Sequence, residues 1–151
     1  MKTISQNEKQ TALFAKNVAK EICRRLASIE ATVVGLYGNL GAGKTAFTKA
    51  VAKELGIRET VSSPTFVLER IYKLPKKPGH HFTHLIHIDA YRFDDEKELL
   101  HLGWTEIISD PKNLIFIEWP EQVAGIMPKG HIQIHFKHKG ENTREIEMKG
   151  L

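Results

Sequence analysis

Gly38-Asn39-Leu40-Gly41-Ala42-Gly43-Lys44-Thr45 fits the pattern G-x-x-x-x-G-K-[ST] without a mismatch. Its flanks fit as well. Thr32 to Tyr37, just before it, is an apolar, β-branched run that reads as a strand, and Thr45 to Leu55, just after it, carries a helical pattern. Strand, glycine loop and helix together predict a phosphate cradle. Glycines let main-chain N–H groups approach an anion, and the helix N-terminus adds positive potential. Leu40, Gly41, Ala42 and Gly43 then supply the cradle, Lys44 reaches the β- and γ-phosphates, and the Thr45 hydroxyl ligates magnesium. The ligand class so implied is a nucleoside triphosphate with Mg2+.

Working outward, the 151 residues suit one domain, 1–151, with a sizeable core. Apolar residues make up 41% and charged residues 26%, a globular balance. No apolar run approaches a membrane span, and Met1 to Gln6 lacks the apolar stretch of a signal peptide. The lone cysteine, Cys23, sits on the apolar face of a predicted helix and reads as a buried thiol. A soluble, cytoplasmic protein is expected. The net charge of +4 is compatible with a nucleic-acid partner without demanding one.

Residues 5 to 28 read as an amphipathic helix carrying Leu13, Phe14, Val18, Ile22, Cys23 and Leu26, with Ser5 and Glu8 as a capping box. Gly56 closes the helix after the loop. Phe66 to Tyr72 and Phe82 to Asp89 read as strands pairing antiparallel around the turn Pro75-Lys76-Lys77-Pro78-Gly79. Asp94 or Asp95 caps a short helix ending near Leu102-Gly103. Asn113 to Glu118 is a buried strand. Ile132 to Phe136 and Arg144 to Met148 alternate as a hairpin with one wet face. The fold class is α/β: a P-loop NTPase fold with a mixed, mostly parallel central sheet, flanking helices and antiparallel hairpin strands.

A phosphate loop needs an acid from a neighbouring strand to hold magnesium or orient water. In an open α/β sheet that acid belongs at a strand's C-terminal end. Asp89 ends Leu85-Ile86-His87-Ile88, and Glu118 ends Leu114-Ile115-Phe116-Ile117. The second strand is the more uniformly apolar, as a central parallel strand should be. Glu118 is therefore favoured as the acid closest to magnesium or the attacking water, with Asp89 as an outer magnesium ligand. Either could instead cap the turn that follows it.

Four stretches, Gly-Asn-Leu-Gly-Ala-Gly-Lys-Thr at 38–45, Ser-Pro-Thr-Phe at 63–66, His-Ile-Asp-Ala-Tyr-Arg at 87–92 and Ile-Glu-Trp-Pro at 117–120, resemble the TsaE (YjeE) family, in its order and spacing. The resemblance spans nearly the whole chain. It implies slow ATP hydrolysis and action with TsaB-like and TsaD-like proteins that form N6-threonylcarbamoyladenosine at position 37 of tRNAs reading codons that begin with A. It also implies magnesium contacts from Thr45 and Glu118, a role in hydrolysis for Asp89, and nucleotide contacts from Trp119 and Glu8, with Gly140 a further candidate. One departure stands out: Asn39 replaces the usual aspartate. The expectation is altered local charge with the main-chain cradle intact.

Other residues divide between roles. Thr65 reads as a γ-phosphate sensor or as part of a loop-to-strand transition. Arg92 reads as a phosphate neutraliser, a partner contact or a surface arginine paired with Asp94 or Asp95. The histidines do not read as structural zinc, because adjacent His80 and His81 would point to opposite faces and no second cysteine exists. Lys73, Lys76 and Lys77 share one loop that could touch tRNA or simply be solvated. A small-molecule kinase on the same loop is the alternative function, although little chain remains for a second pocket or a lid. A GTPase is disfavoured by the lack of an Asn-Lys-x-Asp motif.

Overall fold

A computed structural model of the chain describes residues 1–64 and 67–150. In chain order the elements are β1 (Lys2–Ser5), α1 (Glu8–Arg24), β2 (Thr32–Tyr37), α2 (Lys44–Glu54), β3 (Glu69–Lys73), β4 (His84–Asp89), α3 (Glu96–His101), α4 (Trp104–Ser109), β5 (Asn113–Glu118), a 3-10 segment (Pro120–Ile126), β6 (Ile132–His138) and β7 (Arg144–Lys149). The strands form one sheet in the order β1-β7-β6-β2-β5-β4-β3. Its centre is parallel, where β2 pairs with β6 and β5, and β5 with β4. Both flanks are antiparallel, through β6–β7–β1 on one side and β4–β3 on the other.

Burial explains that division. Every residue of β5 is buried, and so are five of the six in β4. A strand apolar on both sides must be covered on both faces, which helical crossovers between parallel strands provide. On one face Val34, Leu36, Leu114 and Phe116 pack against Phe14, Val18 and Ile22 of α1 and Phe47 and Val51 of α2. On the other face Val33, Ile86, Ile88, Ile115 and Ile117 pack under Leu99, Trp104 and Val123. Each such side chain contributes about 1.5–3 kcal/mol on leaving water. In β6 and β7 burial alternates instead, with Ile132, Ile134, Phe136, Ile146 and Met148 inside.

Several expected boundaries move. The first helix begins at Glu8, with Asn7 as its cap: the Asn7 side chain accepts from Gln10 N. The Ser5 hydroxyl instead bonds Thr11 Oγ1 at 2.8 Å and the Asn7 carbonyl, so no Ser5–Glu8 capping box forms. Lys2–Ser5 is spent as an edge strand on β7, a four-residue pairing with no apolar alternation to announce it. The helix ends at Arg24, leaving Leu26 93% exposed, and Leu13 is 61% exposed on its outer side. β4 starts at His84, two residues later than expected, and α4 was not anticipated at all. Asp95 rather than Asp94 caps α3, accepting from Lys97 N at 2.8 Å. Phe66 lies outside the described residues. No described helix is long and apolar enough to cross a membrane.

Candidate functional site

The loop between β2 and α2 turns through three glycines at positive φ: Gly38 at 147°, Gly41 at 75° and Gly43 at 102°. One of them is also sterically required. A Cβ on Gly38 would meet the Phe136 carbonyl oxygen at 2.7 Å, whereas one on Gly43 would meet Arg144 Nη1 at 2.9 Å, the end of a flexible side chain that can move aside. Gly43 is the N-cap of α2 and offers no side chain to its amides. The open N–H groups at that end are the donors an anion would use. Lys44, the first residue of α2, is buried. Its Nζ turns back to donate to the carbonyls of Gly38 (2.5 Å) and Asn39 (3.1 Å). Burial lowers the pKa of this ammonium from the ordinary lysine value, and Glu118, Glu121 and Asp89 pull it back up.

Strand register builds the acidic side of the site. β4 and β5 are parallel and in step, so Asp89 stands directly beside Glu118. Both are buried at the C-terminal ends of their strands. The Thr45 hydroxyl donates to Glu118 Oε1 at 2.8 Å. His87, two residues before Asp89 and hence on the same face, places Nε2 2.8 Å from the same oxygen. Since the carboxylate only accepts, Nε2 carries the proton. His87 is fully buried, and its Nδ1 has no hydrogen-bond partner among the described residues. Both bonds converge on Oε1 and neither uses Oε2. Asp89 Oδ1 accepts from Tyr91 N at 2.9 Å, which ties the carboxylate to the turn after β4.

Trp119 follows Glu118 with φ 59° and ψ 49°, left-handed geometry that a non-glycine residue adopts at a cost of order 1–3 kcal/mol. That turn brings its ring to 4.1 Å from Lys44 Nζ, a cation–π contact, and to 5.0 Å from the Tyr91 ring. The indole thus lies across the lysine.

These groups border one cavity of about 430 Å³, lined by Leu40 through Ala46 together with Ser63, Asp89, Tyr91, Glu118, Trp119 and Arg144. The loop residues, Lys44, Thr45, Asp89, Glu118 and Trp119 expected from the sequence therefore come together. Glu8 and Gly140 do not line this cavity, and both are exposed. Arg92 is exposed and does not line it either. Thr65 lies outside the described residues. Asn39 is exposed, and its carbonyl accepts from Ala42 N as well as from Lys44. Arg144 was missed. The available signal was its place in the inward alternation with Ile146 and Met148, where a charge needs a reason to be.

The donor set suits one kind of ligand. Main-chain amides, Lys44 and Arg144 fit an anion that glycines allow close, and the Thr45 hydroxyl with two carboxylates fits a hard, oxygen-preferring cation. A glycine loop joining a parallel strand to a helix, with acids at the ends of the adjoining strands, defines a P-loop NTPase fold. Comparison with known proteins narrows the class. The family model described as threonylcarbamoyl adenosine biosynthesis protein TsaE matches residues 5–146. The tRNA threonylcarbamoyladenosine biosynthesis protein TsaE of Treponema pallidum is 32% identical over 148 residues, 98% of this chain and 99% of that protein. The protein of that name from Bacillus subtilis is 39% identical over 114 residues, 76% of this chain and 66% of its own length. Bacillus subtilis YdiB has a crystal structure that superposes with a TM-score of 0.71 at 30% identity, over 97% of this chain and 82% of that one. The chain belongs to the TsaE family.

Proposed function

We propose that this chain binds ATP with Mg2+ and hydrolyses it in the formation of N6-threonylcarbamoyladenosine at position 37 of tRNAs that read A-starting codons. It does so in ATP-dependent contact with TsaB-like and TsaD-like proteins. The family supports the pathway, and the site supports the chemistry. The observation that carries the reading is the convergence of Thr45, Glu118 and Asp89 beside the Lys44 loop.

In this reading the loop amides and Lys44 hold the β- and γ-phosphates, and Arg144 adds a second cation on the β7 side. The Lys44 ammonium, which now bonds the Gly38 and Asn39 carbonyls, would be free to turn to phosphate. Thr45 and Glu118 would hold the metal, which when bound would supply neutralisation of phosphate charge. Asp89 orients the water that attacks the γ-phosphorus, with ADP as leaving group. His87 is a positioning residue: its bond to Oε1 fixes the rotamer of Glu118. Trp119 closes over the lysine.

The test is a pull-down of TsaB-like and TsaD-like proteins from native extract with and without ATP, followed by tRNA modification in the reconstituted mixture. Retention that depends on nucleotide, with modification that depends on this chain, is expected. Phosphorylation of a small metabolite by the isolated chain, with no partner retained, would replace this reading with a kinase.

A further inference from the structure

A concavity of about 1080 Å³, larger than the phosphate-loop cavity, shares no lining residue with it. It lies at the other end of α2. Lys49 and Lys53, one helical turn apart, form one wall. Arg58, just past Gly56, stands at a second side, and Lys73, Lys76 and Lys77 form the third, from the end of β3 into the following loop. Ile57, Val61 and Leu74 are buried and make an apolar floor. Six cations thus face one carboxylate, Glu59, in a chain whose whole net charge is only +4.

All six are exposed, and none makes an ion pair among the described residues. Elsewhere the chain does pair its lysines: Lys2 with Glu145, Lys16 with Glu54, Lys149 with Glu147. Glu54 is the sequence neighbour of Lys53, yet it turns away to α1. Gathering like charges without counter-ions is unfavourable, so an anion that enters this groove relieves repulsion as well as adding attraction.

We infer that this groove is a second binding site, one that holds the phosphodiester backbone of RNA. The inference rests on the reading that the chain acts in tRNA modification. Three observations favour a phosphodiester chain. The cations are spread over three segments, which matches charges strung along a backbone better than one compact polyphosphate. Five of the six are lysine, a hydrated point charge suited to counter-ion release, whereas carboxylates of an acidic peptide are better gripped by the arginine fork. Among the described residues no aromatic side chain lines the groove, which favours binding to the backbone, without sequence preference.

The experiment is a fluorescence anisotropy titration of labelled tRNA transcript onto the intact chain across a salt series. The groove variant Lys53→Glu/Lys73→Glu/Lys76→Glu is compared with Lys9→Glu/Lys112→Glu/Lys129→Glu, which changes net charge equally at exposed positions elsewhere. ATP affinity of both variants, expected to match wild type, reports the fold. The groove variant should bind RNA at least about 10-fold more weakly at low salt, and the slope of log K against log salt should shrink by about 2–3, near 0.7–0.9 for each lost phosphate contact. The control variant should lose less than half as much. Equal loss in both variants would reduce the effect to overall charge and overturn the site. So would undiminished RNA binding by the groove variant. Competition by inorganic tripolyphosphate as effective, per phosphate, as by RNA, or tighter binding of a poly-glutamate peptide than of RNA, would reassign the groove to another anion. If wild type supports tRNA modification with its partners while the groove variant binds RNA normally, the groove inference fails and the proposed function stands. If wild type supports no modification, that function fails, and the titration still reports on the groove.

Discussion

At the scale of single residues, the proposed function assigns ligand binding and chemistry to different side chains. Lys44 is buried and, among the described residues, is held by two carbonyls and an indole face. Lys44→Ala removes a charge-assisted contact worth about 1.5–3 kcal/mol, so ATP affinity should fall by roughly 10- to 150-fold with the fold intact. A fluorescent-nucleotide titration measures this, and unchanged affinity would contradict the cradle. Glu118 behaves differently. Glu118→Ala should still bind nucleotide but lose about 100-fold or more in turnover, the range for removing one preorganised electrostatic group. His87→Phe keeps the buried ring and deletes the Nε2 bond to Oε1, so it should lower kcat while leaving nucleotide Kd within about two-fold, on the expectation that it reaches the reaction only through Glu118. His87→Gln, which can still donate, should recover part of the rate. Loss of Kd and kcat together in His87→Phe would make it a packing residue alone.

At the scale of elements, local chemistry set the ends and burial set the faces. The α1 cap is Asn7, through its bond to Gln10 N. Asn7→Ala should cost about 1 kcal/mol and lower the melting temperature by about 2–4 °C, readable by circular dichroism. Ser5 and Glu8 match the capping-box pattern in sequence, but Ser5 is committed to β1 and to Thr11. The pattern was present and its partner was not. Arg144 shows the reverse case: an inward charge at the start of β7 has no meaning until β6 and β7 fold beside the phosphate loop and set its guanidinium over Gly43. The phosphate loop, by contrast, needed no partner to be read, because its glycines, lysine and threonine are contiguous.

At the scale of the whole molecule, pH should tilt stability in a definite direction. Burial lowers the pKa of His80 and of His135 below 6.5. Lys149 and Lys137 reinforce this at His135 against Glu147 and Glu121, and His81 and Lys77 reinforce it at His80. Between each lowered value and 6.5 the unfolded chain binds more protons than the folded one, so stability rises with pH there and is lost as pH falls from 6.5. Glu69 has the opposite sign, since burial raises its pKa above 4.5 and acidification through that window favours the folded state. Urea unfolding at pH 7.5, 6.5 and 5.5 should therefore show a steeper acid loss in wild type than in His80→Asn/His135→Asn. Parallel curves would show that these two imidazoles titrate alike folded and unfolded.

The sequence by itself determined the phosphate loop, the strand and helix around it, the two strand-end acids and the antiparallel tail. Each is written in contiguous residues or in a short period, and local sterics and burial read such signals directly. Tertiary structure alone decided that Asp89 stands beside Glu118, that His87 and Thr45 share one of its oxygens, that Trp119 covers Lys44 and that six cations from three segments share one groove. Those relations depend on strand order and register, which come from packing two sheet faces at once, and no stretch of chain carries that information alone.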